Sequence, residues 1–116
     1  MVEIKFNDDS FEIDLHGLEE LGAMKRKLVI PYANIDEVDE NAEKVQRYLK
    51  VAGASLGVNN NLYGRFTTNY GLGFFVVKNR ENAFAMHLKN ETYKVVVLEV
   101  ADKNEVIKTL KSHINK

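Results

Sequence analysis

The chain has 116 residues, a net charge of −1, 45% hydrophobic and 28% charged residues, and no cysteine. Its size fits one domain and its composition is that of an ordinary globular protein, while the missing thiols exclude disulfides, thiol catalysis and the common structural zinc sites. No apolar run approaches the ~18 residues that a membrane-spanning helix requires. Residues 1–9 are acidic and lack an apolar core, so they do not read as a signal peptide, and a cytoplasmic protein is the expectation.

Residues 2–6 alternate Val2, Ile4 and Phe6 with Glu3 and Lys5, the pattern of a strand. Asn7-Asp8-Asp9-Ser10 is turn chemistry, and Phe11, Ile13 and Leu15 alternating with Glu12 and Asp14 complete a hairpin. Gly17 breaks the pattern. Leu18, Leu21 and Met24 would share a helix face, but the stretch is short. Leu28-Val29-Ile30 reads as a strand stopped by Pro31, the only proline, which marks a sheet edge or a bend. Residues 32–38 resume extended structure before a turn at Asp39-Glu40-Asn41.

Residues 42–53 fit both periods. Val45, Tyr48, Leu49 and Ala52 make a helix stripe, whereas Val45, Leu49 and Val51 against Gln46 and Lys50 make a strand. Residues 54–61 are Gly/Asn-rich and read as a loop. A strand follows over residues 71–78, and residues 79–82 turn. Phe84, Met86 and Leu88 alternate with Ala85, His87 and Lys89, predicting a half-buried strand with His87 outward. Across Asn90-Glu91-Thr92 comes the most β-prone run, residues 93–100. Its consecutive Val95, Val96, Val97 and Leu98 predict cover on both faces. Strands centred near residues 75, 86 and 97 have the spacing of an antiparallel meander. Asp102 and Glu105 form a D-x-x-E capping box, and Val106, Ile107, Leu110 and Ile114 form one apolar stripe, predicting a C-terminal helix laid on a sheet. Eight strands and one helix imply a mainly β domain, a partly closed barrel or sandwich with the helix over one end.

Four pieces resemble the bacterial pleckstrin-homology-like (PH-like) domains of uncharacterised function. They are residues 28–38 (LVIPYANIDEV), residues 51–55 (VAGAS), Gly64-Arg65-Phe66, and residues 93–98 (YKVVVL) ahead of a terminal helix. The resemblance implies two roughly orthogonal sheets of seven strands, closed as a β-barrel or orthogonal sandwich and capped by the C-terminal helix. It favours a strand from Arg47 to Gly53. It also implies a non-enzymatic binding or scaffolding module. Phosphoinositide-binding members of the wider superfold use basic residues in the first hairpin loop. Here that loop is Asn7-Asp8-Asp9-Ser10, which repels phosphate.

Charge is unevenly spread. Residues 1–23 hold seven acids against Lys5, whereas residues 44–80 hold six bases and no acid. Within that basic window Arg47, Lys50 and Arg65 are interleaved with Tyr48, Tyr63, Phe66 and Tyr70, and Arg47, Lys50, Tyr63, Arg65, Phe66 and Tyr70 form the candidate binding face. Bases with aromatics suit an anionic surface, a single-stranded nucleic acid or an acidic protein partner. A protein partner or an anionic surface is expected, and nucleic acid is set aside. A plainer reading puts the aromatics in the core and leaves the bases to solvate separate strands. A third lets the basic face meet the acidic residues 1–23 of a neighbouring copy, giving a homo-oligomer.

No catalytic residue, metal or cofactor is expected. His16, His87 and His113 lie on different elements without an i, i+4 pair, and Gly71-Leu72-Gly73 lacks the rest of a dinucleotide fingerprint. The alternatives to a binding module are a self-assembling structural protein, or a small ligand-binding barrel or enzyme with a pocket that no motif announces.

Overall fold

A computed structural model describes residues 3–15, 27–56, 61–78 and 80–114, with residues 49–56, 61 and 62 described by their backbone alone. The short apolar stretch at residues 18–24, together with His16 and Gly17, lies outside the described residues. Nine strands make two sheets, and one helix ends the fold. The smaller sheet has the order β1 (Glu3–Phe6), β2 (Ser10–Asp14), β3 (Lys27–Pro31), antiparallel throughout. The larger is formed by β4 (Ile35–Asp39), β5 (Arg47–Leu56), β6 (Asn61–Thr68), β7 (Gly71–Val77), β8 (Ala83–Leu88) and β9 (Val95–Glu99), in the order β4-β8-β9-β7-β6-β5.

The first hairpin forms as its alternation dictates. Asn7 N–H donates to Ser10 O at 2.9 Å, and Asn7 Nδ2 donates to Ser10 Oγ at 3.2 Å. On β3, Leu28 and Ile30 point inward while Val29 stays 46% exposed. Pro31 closes that edge strand, where its missing N–H costs no ladder bond.

The larger sheet departs from the expected meander. Strand β9 inserts between β7 and β8, pairing parallel with β7 (Phe74↔Val96, Phe75↔Val97) and antiparallel with β8 (Phe84↔Leu98, Met86↔Val96). The reason lies in β9 itself. All five of its residues are buried, so it takes a central position with a neighbour on each side. Likewise β8 is covered on both faces from Ala83 to Met86, and only His87 is half-buried. The ninth strand is β6, and β5 extends through Ala54, Ser55 and Leu56, which composition alone assigned to a loop. Residues 32–34 form a 3-10 turn before β4, and residues 42–44 form another before β5. The two sheets are open and do not close into a barrel: no strand of one is hydrogen-bonded to a strand of the other among the described residues.

Helix α1 (Lys103–Ile114) begins as the capping box predicts, with Glu105 N–H donating to Asp102 Oδ1 at 3.3 Å. Ile107 and Leu110 are buried, and Val106 and Ile114 pack partly buried against the same core. That inner core joins the smaller sheet (Phe11, Ile13, Ile30), the helix, and one face of the larger sheet (Phe74, Val76, Phe84, Met86, Val96, Leu98). The opposite, outer face buries Phe66, Phe75, Val77, Ala83, Ala85, Val95 and Val97 together with Ala42 and Val45.

Leu110→Ala removes a fully buried side chain where the helix meets the inner core. Urea unfolding should show a loss of about 2–5 kcal/mol, whereas Lys108→Ala on the exposed side should stay within about 0.5 kcal/mol. A pH effect follows from three tyrosines. Burial raises the Tyr32, Tyr63 and Tyr93 phenols above their ordinary value. Asp8 and Asp9 add to this at Tyr32 and Glu99 at Tyr63, while Arg65 opposes it at Tyr93. The unfolded chain therefore releases these protons first. Stability is complete below the ordinary tyrosine value of about 10 and falls as pH rises through the raised values. Thermal melts from pH 8 to 11 should show that drop, and Tyr63→Phe should make it shallower.

Candidate functional site

Of the six predicted face residues, those whose side chains are described do not share one face. On β6 the two-residue period sends Tyr63 and Arg65 one way and Phe66 the other. Tyr63 is 7% exposed in the inner core, which also holds Phe74 and Tyr93. Arg65 is half-buried on that side, its Nε without a hydrogen-bond partner among the described residues. Phe66 is 2% exposed in the outer core, edge-on to Phe75 at 5.3 Å between ring centroids. Its role is packing. Arg47 is exposed and lies over the Phe66 ring, 5.9 Å from the centroid, a cation–π contact. Lys50 stands opposite Phe66 in the β5–β6 register, and its side chain lies outside the described residues.

What the structure does assemble lies at one end of the larger sheet. Tyr70, 45% exposed on the β6–β7 turn, meets His87 edge-on at 4.6 Å. Beyond β6, on the edge strand β5, Arg47 is paired in register with Thr68, and the next residue along β5, Tyr48, is 59% exposed. On the other side is Lys94, exposed, its stem running past Gly71. A Cβ at Gly71 would come within 2.8 Å of Lys94 Cγ, and the backbone there has φ +120°, so glycine seats that lysine. Neither Arg47 nor Lys94 makes an ion pair among the described residues. Two exposed tyrosines and two cations without an ion pair among the described residues thus stand along this end of the sheet. Lys94 lies outside the basic window, and the one local signal for it is the glycine that makes room.

The chain between β4 and β5 crosses the outer face as a strap, and two side chains fasten it. The Arg80 guanidinium donates to Ala42 O at 2.9 Å and Val45 O at 2.6 Å. At the β6–β7 turn, Asn69 Oδ1 accepts from Gln46 N–H at 2.8 Å, and Asn69 Nδ2 donates to Lys44 O at 3.2 Å. Burial and the nearby Arg47 charge lower the Arg80 pKa, opposed by Glu43. Arg80 thus serves the fold. Beneath the strap's start, Glu40, Asn41, Ala42, Glu43, Arg80, Glu81 and Lys103 line an open cleft of ≈ 360 Å³ with charges of both signs.

The two described histidines, His87 and His113, meet different partners. His87 meets Tyr70, whereas His113 is stacked on Tyr32 at 4.5 Å and on Phe6 at 5.7 Å. Among the described residues no group of three or more His, Asp or Glu side chains could hold a metal ion. No described helix is long and apolar enough to cross a membrane. No family model, curated protein or solved structure matches the chain.

Asn69→Ala and Arg80→Met each remove one fastening of the strap. Amide exchange at Val45 and Gln46 should quicken by about tenfold for each 1.4 kcal/mol of lost local stability, while the Val96 and Val97 amides keep their protection. Unchanged exchange at Gln46 in both variants would mean that the side-chain bonds do not hold the strap.

Proposed function

We propose that the chain is a non-enzymatic, PH-like binding module that takes an acidic protein segment at the Arg47–Tyr48–Tyr70–Lys94 corner. The carrying observation is the position of Tyr70: half-exposed, its ring against His87, on the β6–β7 turn between Lys94 at the start of β9 and Arg47 at the start of the edge strand β5, neither paired with a described carboxylate. Tyrosine gives a rigid amphipathic contact at low entropic cost, and cations on either side choose carboxylates. Two sheets and a C-terminal helix support the PH-like reading. The parallel β7–β9 pair and the nine strands are where this chain departs from the seven-stranded pattern. The acidic first hairpin loop argues for a protein ligand over a phosphorylated headgroup, because Asp8 and Asp9 stand exposed where phosphate-binding members carry bases.

Polyglutamate tests this directly. Wild-type protein should bind it at about 50 mM salt and lose most of that affinity near 500 mM, where the Debye length falls to a few ångströms. The Arg47→Glu/Lys94→Glu variant should bind at least tenfold more weakly at low salt while keeping the wild-type melting curve. Equal affinity in the variant sinks the proposal. Flotation with vesicles containing phosphatidylserine, run alongside, should give weaker binding than polyglutamate, and tighter vesicle binding would reassign the corner to a membrane surface.

A further inference from the structure

We infer that His87 regulates this end of the sheet: by taking up a proton between about pH 8 and 6 it turns the strip beside Tyr70 from charge-balanced to cationic, and the acidic segment then binds more tightly. The inference rests on the binding reading above and adds its regulation.

The sheet fixes what surrounds His87. It follows Ala85 by two residues on β8, and Ala85 enters the outer core, so the strand period turns the imidazole to the outer face. Every other residue of β8 is buried, whereas His87 is half-buried. Its register partners are Glu37 on β4 and Val95 on β9. Residues directly opposite in an antiparallel pair share a face, with Cβ atoms about 5 Å apart. Lys94, one residue before Val95, is placed by its backbone: its N–H donates to Leu72 O at 2.7 Å, and its carbonyl accepts from Leu88 N–H at 2.9 Å. From the β6–β7 turn, Tyr70 sets its ring 4.6 Å from the imidazole at an interplanar angle of 69°. A segment whose carboxylates reach Arg47 and Lys94 passes Tyr70, and with it the imidazole behind that ring.

Most charges around His87 already have partners. On β8 and β4, Lys89 Nζ lies 3.3 Å from Asp36 Oδ1. On the strap, Lys44 Nζ lies 3.6 Å from Asp39 Oδ2, and the field of Glu43 acts on Arg80. Glu37 and Lys94 remain. Both are exposed, and neither makes an ion pair among the described residues. One acid and one base cancel while His87 is neutral. A proton on the imidazole adds a positive charge between them and leaves the strip net cationic. Histidine is the side chain suited to such a change, because its charge switches within the range of pH 5 to 8.

Polyglutamate affinity at about 50 mM salt, measured at pH 8 and at pH 6, tests this with wild-type protein and with His87→Gln, Glu37→Gln and Arg47→Glu/Lys94→Glu variants. Polyglutamate stays ionised over this range, since a glutamate carboxyl titrates near ~4.3. The wild type should bind about three- to fivefold more tightly at pH 6, the size of one added surface charge contact. In His87→Gln the affinities at the two pH values should agree with each other. Glu37→Gln should bind more tightly than wild type at pH 8, because the offsetting acid is gone. In the ligand-free protein, proton NMR should show the Tyr70 ring signals moving along the His87 titration between pH 8 and 6. Thermal melts establish that the variants fold. A wild type equally tight at both pH values, a His87→Gln variant that keeps the full change, or Tyr70 signals that ignore the His87 titration overturns the inference. Affinity that is flat with pH but lost in Arg47→Glu/Lys94→Glu would remove the regulation and leave the acidic-segment reading standing. No binding by the wild type at either pH would remove both.

Discussion

Everything in this fold depends on keeping β9 dry on both faces. Five consecutive buried residues cannot sit at an edge or on a half-solvated sheet. Each buried valine or leucine contributes about 1.5–3 kcal/mol only if water is excluded from its own side. The chain solves this by placing β9 between β7 and β8 and covering the two faces by different means. The inner cover is conventional: an amphipathic helix and a three-stranded sheet, with Leu110, Ile107, Phe11 and Ile13 interlocked with Phe74, Phe84 and Val96. Here the helix does not plug a closed barrel; it lies against the β4 and β8 region and the turn at residues 32–34.

The outer cover is thinner, and that accounts for its polar fastenings. Ala42 and Val45 are the only described residues of the β4–β5 crossover that enter the outer core. Two small side chains cannot fix a crossover by burial alone, so its backbone carbonyls and amides are held by Arg80 and Asn69. This divides the basic residues by task. The Arg80 guanidinium is committed to carbonyl oxygens, and Lys44 is committed to Asp39 at 3.6 Å. Arg47 is held over Phe66 with its charge unmatched. A positive window in the sequence thus becomes one structural clamp and one exposed charge that no described carboxylate pairs.

Local alternation made the first hairpin, β3 and the helix legible, because each buries one face and the period is visible. Val95-Val96-Val97-Leu98 announced cover on both sides for the same reason. Strand order was not legible: the spacing of β7, β8 and β9 suits a meander, and nothing local says that the third enters between the first two. Strand β6 was hidden by Asn61 and Gly64, whose poor strand propensity is overridden by pairing with β5 and β7. The PH-like resemblance favoured the right choice for residues 47–53, where two periods fitted equally. As for the site, the charge window spans Arg47 and Tyr70, which are exposed, and Tyr63 and Phe66, which are core, because charge along the sequence does not say which face of a strand a residue takes; Lys94, at the start of β9 beside Gly71, lies outside the window.

The charge separation is itself a product of the chain path. The Tyr32–Asp9 bond ties the acidic turn to the start of β4, one edge of the larger sheet, and the crossover then carries the chain over the outer face to β5, the other edge. The first exposed base on arrival is Arg47, back at the end where β4 began. A net charge of −1 conceals this, because opposite signs cancel in the sum while standing a sheet's width apart. The route that dries the outer face of β9 is therefore also what sets the Asp8–Asp9 turn and Arg47 at opposite edges of one end of the sheet.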